Sequence, residues 1–267
     1  MLPVRVILAF WCAICASVAT AHEFWLEPGA FQVAPGDQIT AQLKNGQKFE
    51  GVSLSYFDRN IARFDVVIGD AVTPVDGRMG DSPALDIPAS ETGLVVVVHE
   101  TTPSFVTYKE WEKFAAFAGH KDFADIYARH EANGFGPVPF KERYTRHAKA
   151  LVAVGDGAGA DRAMGLKTEF VALTNPYAPG FDGTMRVQLL YQGAPRVDAQ
   201  VEVFDRAPDG AVTITLHRTD ADGIAAIQVT PGHDYLFDSV VLATADDSEE
   251  AVWDTFWAAL TFGVPSR

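Results

Sequence analysis

Chemistry is first legible in the stretch His22-Glu23-Phe24-Trp25-Leu26-Glu27-Pro28. His22 lies directly behind Ala19-Thr20-Ala21, a small-x-small cleavage signature. Cleavage after Ala21 makes His22 the first residue of the exported chain, with two nitrogen ligands: its imidazole and its free α-amino group. Such a pair closes a chelate ring on neighbouring positions of a square-planar or tetragonal ion, a geometry suited to Cu(II) and Ni(II). The third nitrogen must come from a remote histidine. His99 ends the apolar run 95–98, and His147 stands between Arg146 and Lys149. Positive neighbours disfavour imidazolium and leave His147 in the neutral form a metal requires. The metal set read from the sequence is therefore His22, His99 and His147, with nickel, cobalt or copper as the cofactor. A plainer reading stands beside it. His22 is then only the residue after a leader, packed by Phe24 and Trp25, His99 a satisfied polar strand end, and His147 a solvent-facing side chain.

The other histidines carry less. His130 shares a helical face with Phe123, Ile126 and Tyr127, which predicts a buried, hydrogen-bonded ring. His120 lies beside Lys121 in a break between two helical patterns, and His217 and His233 receive no role. His22-Glu23, His99-Glu100 and His130-Glu131 each begin like a zinc-protease helix, but none has the second histidine three residues after its glutamate. The sequence has no G-x-S-x-G elbow, P-loop or dinucleotide-binding glycine pattern. The expectation is a binding protein, not an enzyme; a hydrolase built on an unmarked carboxylate pair is the contrary reading. A third is a non-catalytic module that holds a glycan or partner protein on aromatics such as Trp25, Trp111 and Trp257.

The first 21 residues explain the compartment. Residues 1–5 are short and positive, 6–18 almost wholly apolar, and 19–21 small. This is the layout of a signal peptide, and its apolar run is shorter than the roughly 20 residues of a membrane-spanning helix. The expected location is the periplasm. Both cysteines, Cys12 and Cys15, leave with the leader, so disulfides and thiolate metal sites are excluded from the mature chain. One of the 21 basic residues, Arg5, also leaves; 20 then face 35 acidic residues, a net charge of −15. Such a chain is repelled by phosphate backbones, which argues against nucleic acid as a partner. The 48% hydrophobic content is ample for a real core.

The elements that must position these residues are mostly strands. Period-two segments at 31–33, 39–43, 52–57, 63–68 and 93–99 are separated by Gly, Asp and Pro. The continuous apolar run 95–98 predicts a central strand covered on both faces. Between 109 and 134 the period changes: Trp111, Phe114, Ala115 and Ala118 recur at helical spacing, and Asn133-Gly134 is a stop, which predicts two short helices. Another strand leads through 141–154, and the Gly- and Asp-rich stretch 155–161 reads as a linker. Further strands follow at 168–173, 185–191, 199–204, 212–217, 224–229, 235–243 and 253–262. Thr219-Asp220-Ala221-Asp222-Gly223 lacks the remaining ligands of a calcium loop and reads as a plain hairpin turn.

Several of these pieces occur together in a known group. They are the start at 22–28; Trp111-Glu112-Lys113-Phe114 with His120-Lys121-Asp122-Phe123 and His130; the block Glu142-Arg143-Tyr144-Thr145-Arg146-His147-Ala148-Lys149-Ala150-Leu151; Asn175-Pro176-Tyr177; and Phe256-Trp257-Ala258-Ala259-Leu260-Thr261-Phe262. The chain resembles an exported bacterial family of unknown function formerly labelled nickel-uptake, NikM-like. The resemblance implies metal uptake or delivery, with a membrane metal transporter or an outer-membrane receptor as partner. The second half also resembles transthyretin-like and collagen-adhesin-type β-sandwiches. The expected fold is mainly β: a leader at 1–21, an N-terminal β-sandwich at 22–160 carrying a two-helix insertion at about 109–134, and a C-terminal transthyretin-like β-sandwich at 161–267. Mass spectrometry of the exported protein should find a mature N-terminus at His22; a chain beginning elsewhere removes the amine–imidazole chelate.

Overall fold

Side chains alternate across a strand, so a strand apolar at every position must be covered on both faces. That rule organises the computed structural model, which describes residues 22–266; the expected leader lies outside the described residues. In chain order the elements begin with β1 (Glu23–Pro28), β2 (Gln32–Val33), β3 (Gln38–Gln47), β4 (Glu50–Leu54), β5 (Ile61–Ile68), β6 (Ala71–Pro74), β7 (Leu85–Pro88), β8 (Gly93–Thr101) and β9 (Ser104–Tyr108). Then come α1 (Trp111–His120), α2 (Ile126–Ala132) and β10 (Phe140–Val154). The rest is β11 (Thr168–Ala172), β12 (Thr184–Tyr191), β13 (Ala194–Pro195), β14 (Gln200–Arg206), β15 (Val212–Arg218), β16 (Ile224–Gln228), β17 (Asp234–Thr244) and β18 (Trp253–Gly263).

These strands form three sheets. A ten-stranded central sheet runs β15-β14-β17-β18-β10-β8-β5-β6, with β2 and β9 also paired to β10. A front sheet contains β1, β3, β4 and β7, and a back sheet β11, β12, β13 and β16. Both smaller sheets pack on the central one, giving two sandwich packings that share a layer. In β8, Val95 and Val97 point into the front core with Trp25, Leu26 and Leu43. Leu94, Val96 and Val98 point into the back core with Met185, Val187 and Phe237. The run 95–98 is thus covered on both faces, as its composition predicts.

The 15-residue β10 is the seam of the central sheet. It pairs antiparallel with β9 through residues 140–144 and with β8 through 151–154. Along its other edge it pairs parallel with β18, from Glu142↔Trp253 to Ala150↔Thr261. The central sheet therefore contains strands from both sides of residue 160. On the back face Lys149 is buried and contacts Asp161 Oδ1 at 2.6 Å, with Nζ also donating to the carbonyls of Arg162 and Phe170 at 3.0 Å. Asn175 Nδ2 donates to the carbonyls of Gly157 and Gly159, so the 155–161 stretch is a tethered connection.

The two helices continue the cover of the front face where the front sheet ends. Phe114, Phe117, Ala118 and Ile126 pack on Val240, Leu242, Trp253 and Trp257. His120 ends α1 rather than lying in a break, and Phe123 precedes α2 although its spacing groups it with Ile126, Tyr127 and His130. The hairpin expected at 219–223 is corrected. The turn closes with Gly223 N–H donating to the Asp220 carbonyl at 3.0 Å, but β15 joins the central sheet and β16 the back sheet. An Asp-Gly turn specifies the local reversal, not whether the flanking strands pair. Leu260, fully buried in the back core, should lose about 2–5 kcal/mol on truncation to Ala. Leu216→Ala, at a 60% exposed position, should stay within about 0.5 kcal/mol, both read by denaturant unfolding.

Candidate functional site

Where the front sheet stops and α1 begins, the front face of the central sheet changes from apolar to acidic. On β17 the front-facing positions read Leu236, Asp238, Val240; on β14 they read Glu202, Phe204. Register places Glu202 directly opposite Asp238. Glu23, the first residue of β1, meets them from the front sheet, and Lys121 enters from the end of α1. Gln200 Nε2 donates to the His120 carbonyl at 3.0 Å, which fastens that helix end to β14.

Lys121 Nζ lies 3.1 Å from Glu23 Oε1, 2.6 Å from Glu202 Oε2 and 2.9 Å from Asp238 Oδ2, and all four residues are buried. It also stands 5.0 Å from the centre of the Trp257 ring. His120 Nε2 approaches Glu202 Oε1 at 3.1 Å from the solvent side. Burial opposes the Lys121 ammonium, but the charges of Asp238, Glu23 and Glu202 outweigh it and hold its pKa above the ordinary lysine value. Burial likewise works against the Glu202 carboxylate, which His120 and Lys121 nevertheless keep below the usual range. Burial pushes Asp238 up, and the hydrogen bond to Glu202 raises His120. Asp238 Oδ1 is buried without a hydrogen-bond partner. Three carboxyl groups thus share one ammonium, a surplus of acid in a place with little water. Ligand atoms of Glu23, His120 and Glu202 all lie within 4.8 Å of one another, and this is the one such group among the described residues.

The histidines singled out by sequence do not meet there. His22 is exposed, and its carbonyl accepts from Arg146 Nη2 at 3.1 Å. His99 faces the front core, its ring centroid 5.2 Å from that of Phe24 and 5.1 Å from that of Phe64. Neither of its nitrogens has a hydrogen-bond partner, so it is not the satisfied strand end of the plainer reading. Burial, reinforced by the charge of His147, lowers its pKa to about 3 and keeps it neutral. His147 stands opposite Ala258, on the back face. It is buried rather than solvent-facing, with Nδ1 3.1 Å from the Trp257 carbonyl and Nε2 3.5 Å from Glu100 Oε1. His99 and His147 therefore occupy opposite faces of one sheet. His130 is buried as expected, accepting from Trp253 Nε1 at 3.0 Å while its Nε2 lies 2.9 Å from the Gly136 carbonyl. Trp25 and Trp257 are buried, and Trp111 packs on Phe114, so these aromatics serve the core before any ligand.

Beside the acidic group a pocket of about 360 Å³ opens between β9, α1, β10 and β18. Glu142, Tyr144 and Arg146 reach it from one face of β10, and His22, Val106, Tyr108, Lys113 and Trp257 complete much of its wall. Glu142 is buried and accepts from the Tyr108 hydroxyl at 2.9 Å and from the Thr255 hydroxyl; Thr255 Oγ1 in turn accepts from Trp257 Nε1 at 3.2 Å. Burial outweighs those hydrogen bonds and pushes Glu142 up to about 7.

Sequence reasoning passed over Glu23, Glu202, Asp238 and Glu142. The signal was available in Val201-Glu202-Val203-Phe204 and Phe237-Asp238-Ser239-Val240, where an acid interrupts an apolar strand. Which acids would meet depended on register.

The fold and site define a mainly β, double-sandwich protein with a buried acid–lysine cluster and a histidine at its solvent edge. The chain belongs to the DUF4198 family, a domain of unknown function whose model matches residues 19–242. Among curated proteins none matches the chain. Among solved structures it is similar to the D0-D1 domain of Intimin, at 15% identity and a TM-score of 0.19, covering 90% of this chain and 97% of that one. It is also similar to a tetra-tandem repeat in the extending region of a large adhesion protein, at 10% identity and a TM-score of 0.19, covering 91% of this chain and 50% of that one. Neither likeness bears on function. No helix among the described residues is long and apolar enough to cross a membrane.

The raised Glu142 pKa has a stability consequence. The unfolded carboxyl ionises near 4.5, whereas the folded one keeps its proton until about 7. Stability should therefore fall as pH rises through that window, by on the order of 3 kcal/mol. Glu142→Gln should flatten this part of the profile, measured by urea unfolding at a series of pH values.

Proposed function

We propose that this chain is an exported, non-catalytic protein that binds a divalent transition-metal ion at Glu23, His120 and Glu202 and serves metal uptake or delivery. The supporting observation is the convergence of those ligand atoms within 4.8 Å at the solvent edge of a buried cluster where carboxyl groups outnumber ammonium. Three carboxyl groups face one ammonium, and a dication that displaces the protons favoured on Asp238 and His120 would supply the missing positive charge. Two carboxylates with one imidazole form a mixed oxygen and nitrogen set that nickel, cobalt and copper accept. Lys121 Nζ stands among the same oxygens, so an ion must compete with it. The leader-like segment at 1–21 supports a periplasmic location, and a membrane metal transporter or outer-membrane receptor is the partner such a role requires. His22 directly precedes Glu23 in the chain, so a terminal amine there extends the ligand set without being its centre.

Calorimetric titration of the protein beginning at His22 tests this. Affinity should rise from Co(II) through Ni(II) to Cu(II). Glu202→Gln and His120→Ala should each weaken binding at least about tenfold. Lys121→Gln should tighten it, because the competing ammonium is gone. His22→Ala should weaken it less than His120→Ala. Binding no tighter than about micromolar for all three ions, or binding indifferent to Glu202 and His120, would overturn the proposal.

A further inference from the structure

Apart from His22 on its wall, the pocket in front of Arg146 takes no part in the metal reading, and it contains a cation without an ion-pair partner among the described residues. The Arg146 guanidinium lies 4.5 Å from the centre of the Tyr144 ring. Its Nη2 donates to the His22 carbonyl, and its Nε is buried without a hydrogen-bond partner. Among the described residues Arg146 forms no ion pair, unlike the other partly or fully buried cations of the central sheet. Arg143 meets Asp254, Arg206 meets Glu27 and Asp234, and Lys149 meets Asp161. Arg196 lacks an acid too, but it is held by the Ser239 hydroxyl at 3.0 Å and the Val240 carbonyl at 2.9 Å.

The acids nearest the pocket are already engaged. Glu142 is hydrogen-bonded by Tyr108 and Thr255, and Glu110 pairs with Lys113 at 2.9 Å. A half-buried guanidinium without a carboxylate favours an anion brought by a ligand, because its planar fork matches a carboxylate with two parallel hydrogen bonds. Val106, Tyr108, Tyr144 and Trp257 supply apolar surface around it. The volume of about 360 Å³ is at the small end of ligand pockets and suits one ring with a short arm. Above about pH 7, where Glu142 is ionised, a second negative charge on the ligand would face it across the same pocket, so a single carboxylate fits better than a phosphate.

We propose that this pocket binds a small organic monocarboxylate with an apolar or aromatic body, its carboxylate on Arg146 and its body against Trp257, Tyr144 and Val106. The site is separate from Glu23, His120 and Glu202, and its occupancy does not require a metal.

Ligand-observed NMR with the protein beginning at His22 tests this, using phenylacetate, its uncharged analogue phenylacetamide, and inorganic phosphate as probes. Phenylacetate should bind in the millimolar range or tighter, a level set by its size. Phenylacetamide and phosphate should each bind at least about tenfold more weakly, since each lacks half of the recognition. Arg146→Gln should lower phenylacetate affinity by about the same factor and leave phenylacetamide unchanged. Val106→Trp, which fills the pocket and leaves Arg146 in place, should block phenylacetate while nickel titrates as before; it decides the matter if Arg146→Gln fails to fold. Equal binding of phenylacetate and phenylacetamide overturns the proposal. So does phosphate binding as tight as that of phenylacetate, or no phenylacetate binding by folded protein.

Discussion

The parallel pairing of β10 with β18 is the constraint on which the rest of the molecule depends. Parallel neighbours cannot be joined by a tight turn, and these two are separated by the whole second half of the chain. Their register, Glu142↔Trp253 through Ala150↔Thr261, decides which residues share a neighbourhood. It sets Arg146 beside Trp257 and brings Thr255 within reach of Glu142. Through β18 it also fixes β17 and β14, and with them Asp238 and Glu202. A slip of one residue would turn every one of these side chains to the other face. The small front-facing alanines Ala148, Ala150 and Ala259 leave room for β1 to lie across this seam.

Charge is buried where two kinds of cover meet. The front sheet and the helical insertion each supply apolar side chains to the front face, and at their junction lie Glu23, Lys121, Glu202 and Asp238. Removing four ionisable groups from water is costly, and ion pairing recovers only part of that cost. Such a group is therefore weak evidence for stability and better evidence for specificity or function. Lys121 draws together residues from β1, β14 and β17 through one ammonium. Lys149 does the same on the back face, holding Asp161 and the Phe170 carbonyl beneath β10. The two differ in composition: Lys121 faces three carboxyl groups and has a histidine at its solvent edge, whereas Lys149 faces two, Asp161 and Glu169, and no histidine. That difference sets the front group apart as the candidate site.

The pocket beside it follows from the same strand. Alternation along β10 sends Glu142, Tyr144 and Arg146 to the front, where they meet β9 and α1, while His147 goes to the back. The residue type expected to bind metal and the residue exposed in the pocket are chain neighbours on opposite faces. Proximity in sequence is a poor guide to shared chemistry on a strand.

Much of the secondary structure was legible in residue pattern alone. Period-two alternation marked most strands, the run 95–98 announced cover on both faces, and the change of period at Trp111 marked the helices. His130 was readable as a buried ring because its helical neighbours were apolar. These are local matters, determined by spacing and propensity. The pairing of strands was not local. The Asp-Gly turn at 222–223 looked like a hairpin, yet its strands enter different sheets, since each is captured by partners far away in the chain. The site was decided in the same way. His22, His99 and His147 suit a metal by residue type, but tertiary structure sends them to an exposed strand start, the front core and the back face. Glu23, His120, Glu202 and Asp238 carried no common motif. They meet because long-range register and helix docking set four distant segments side by side, and no spacing along the sequence encodes that.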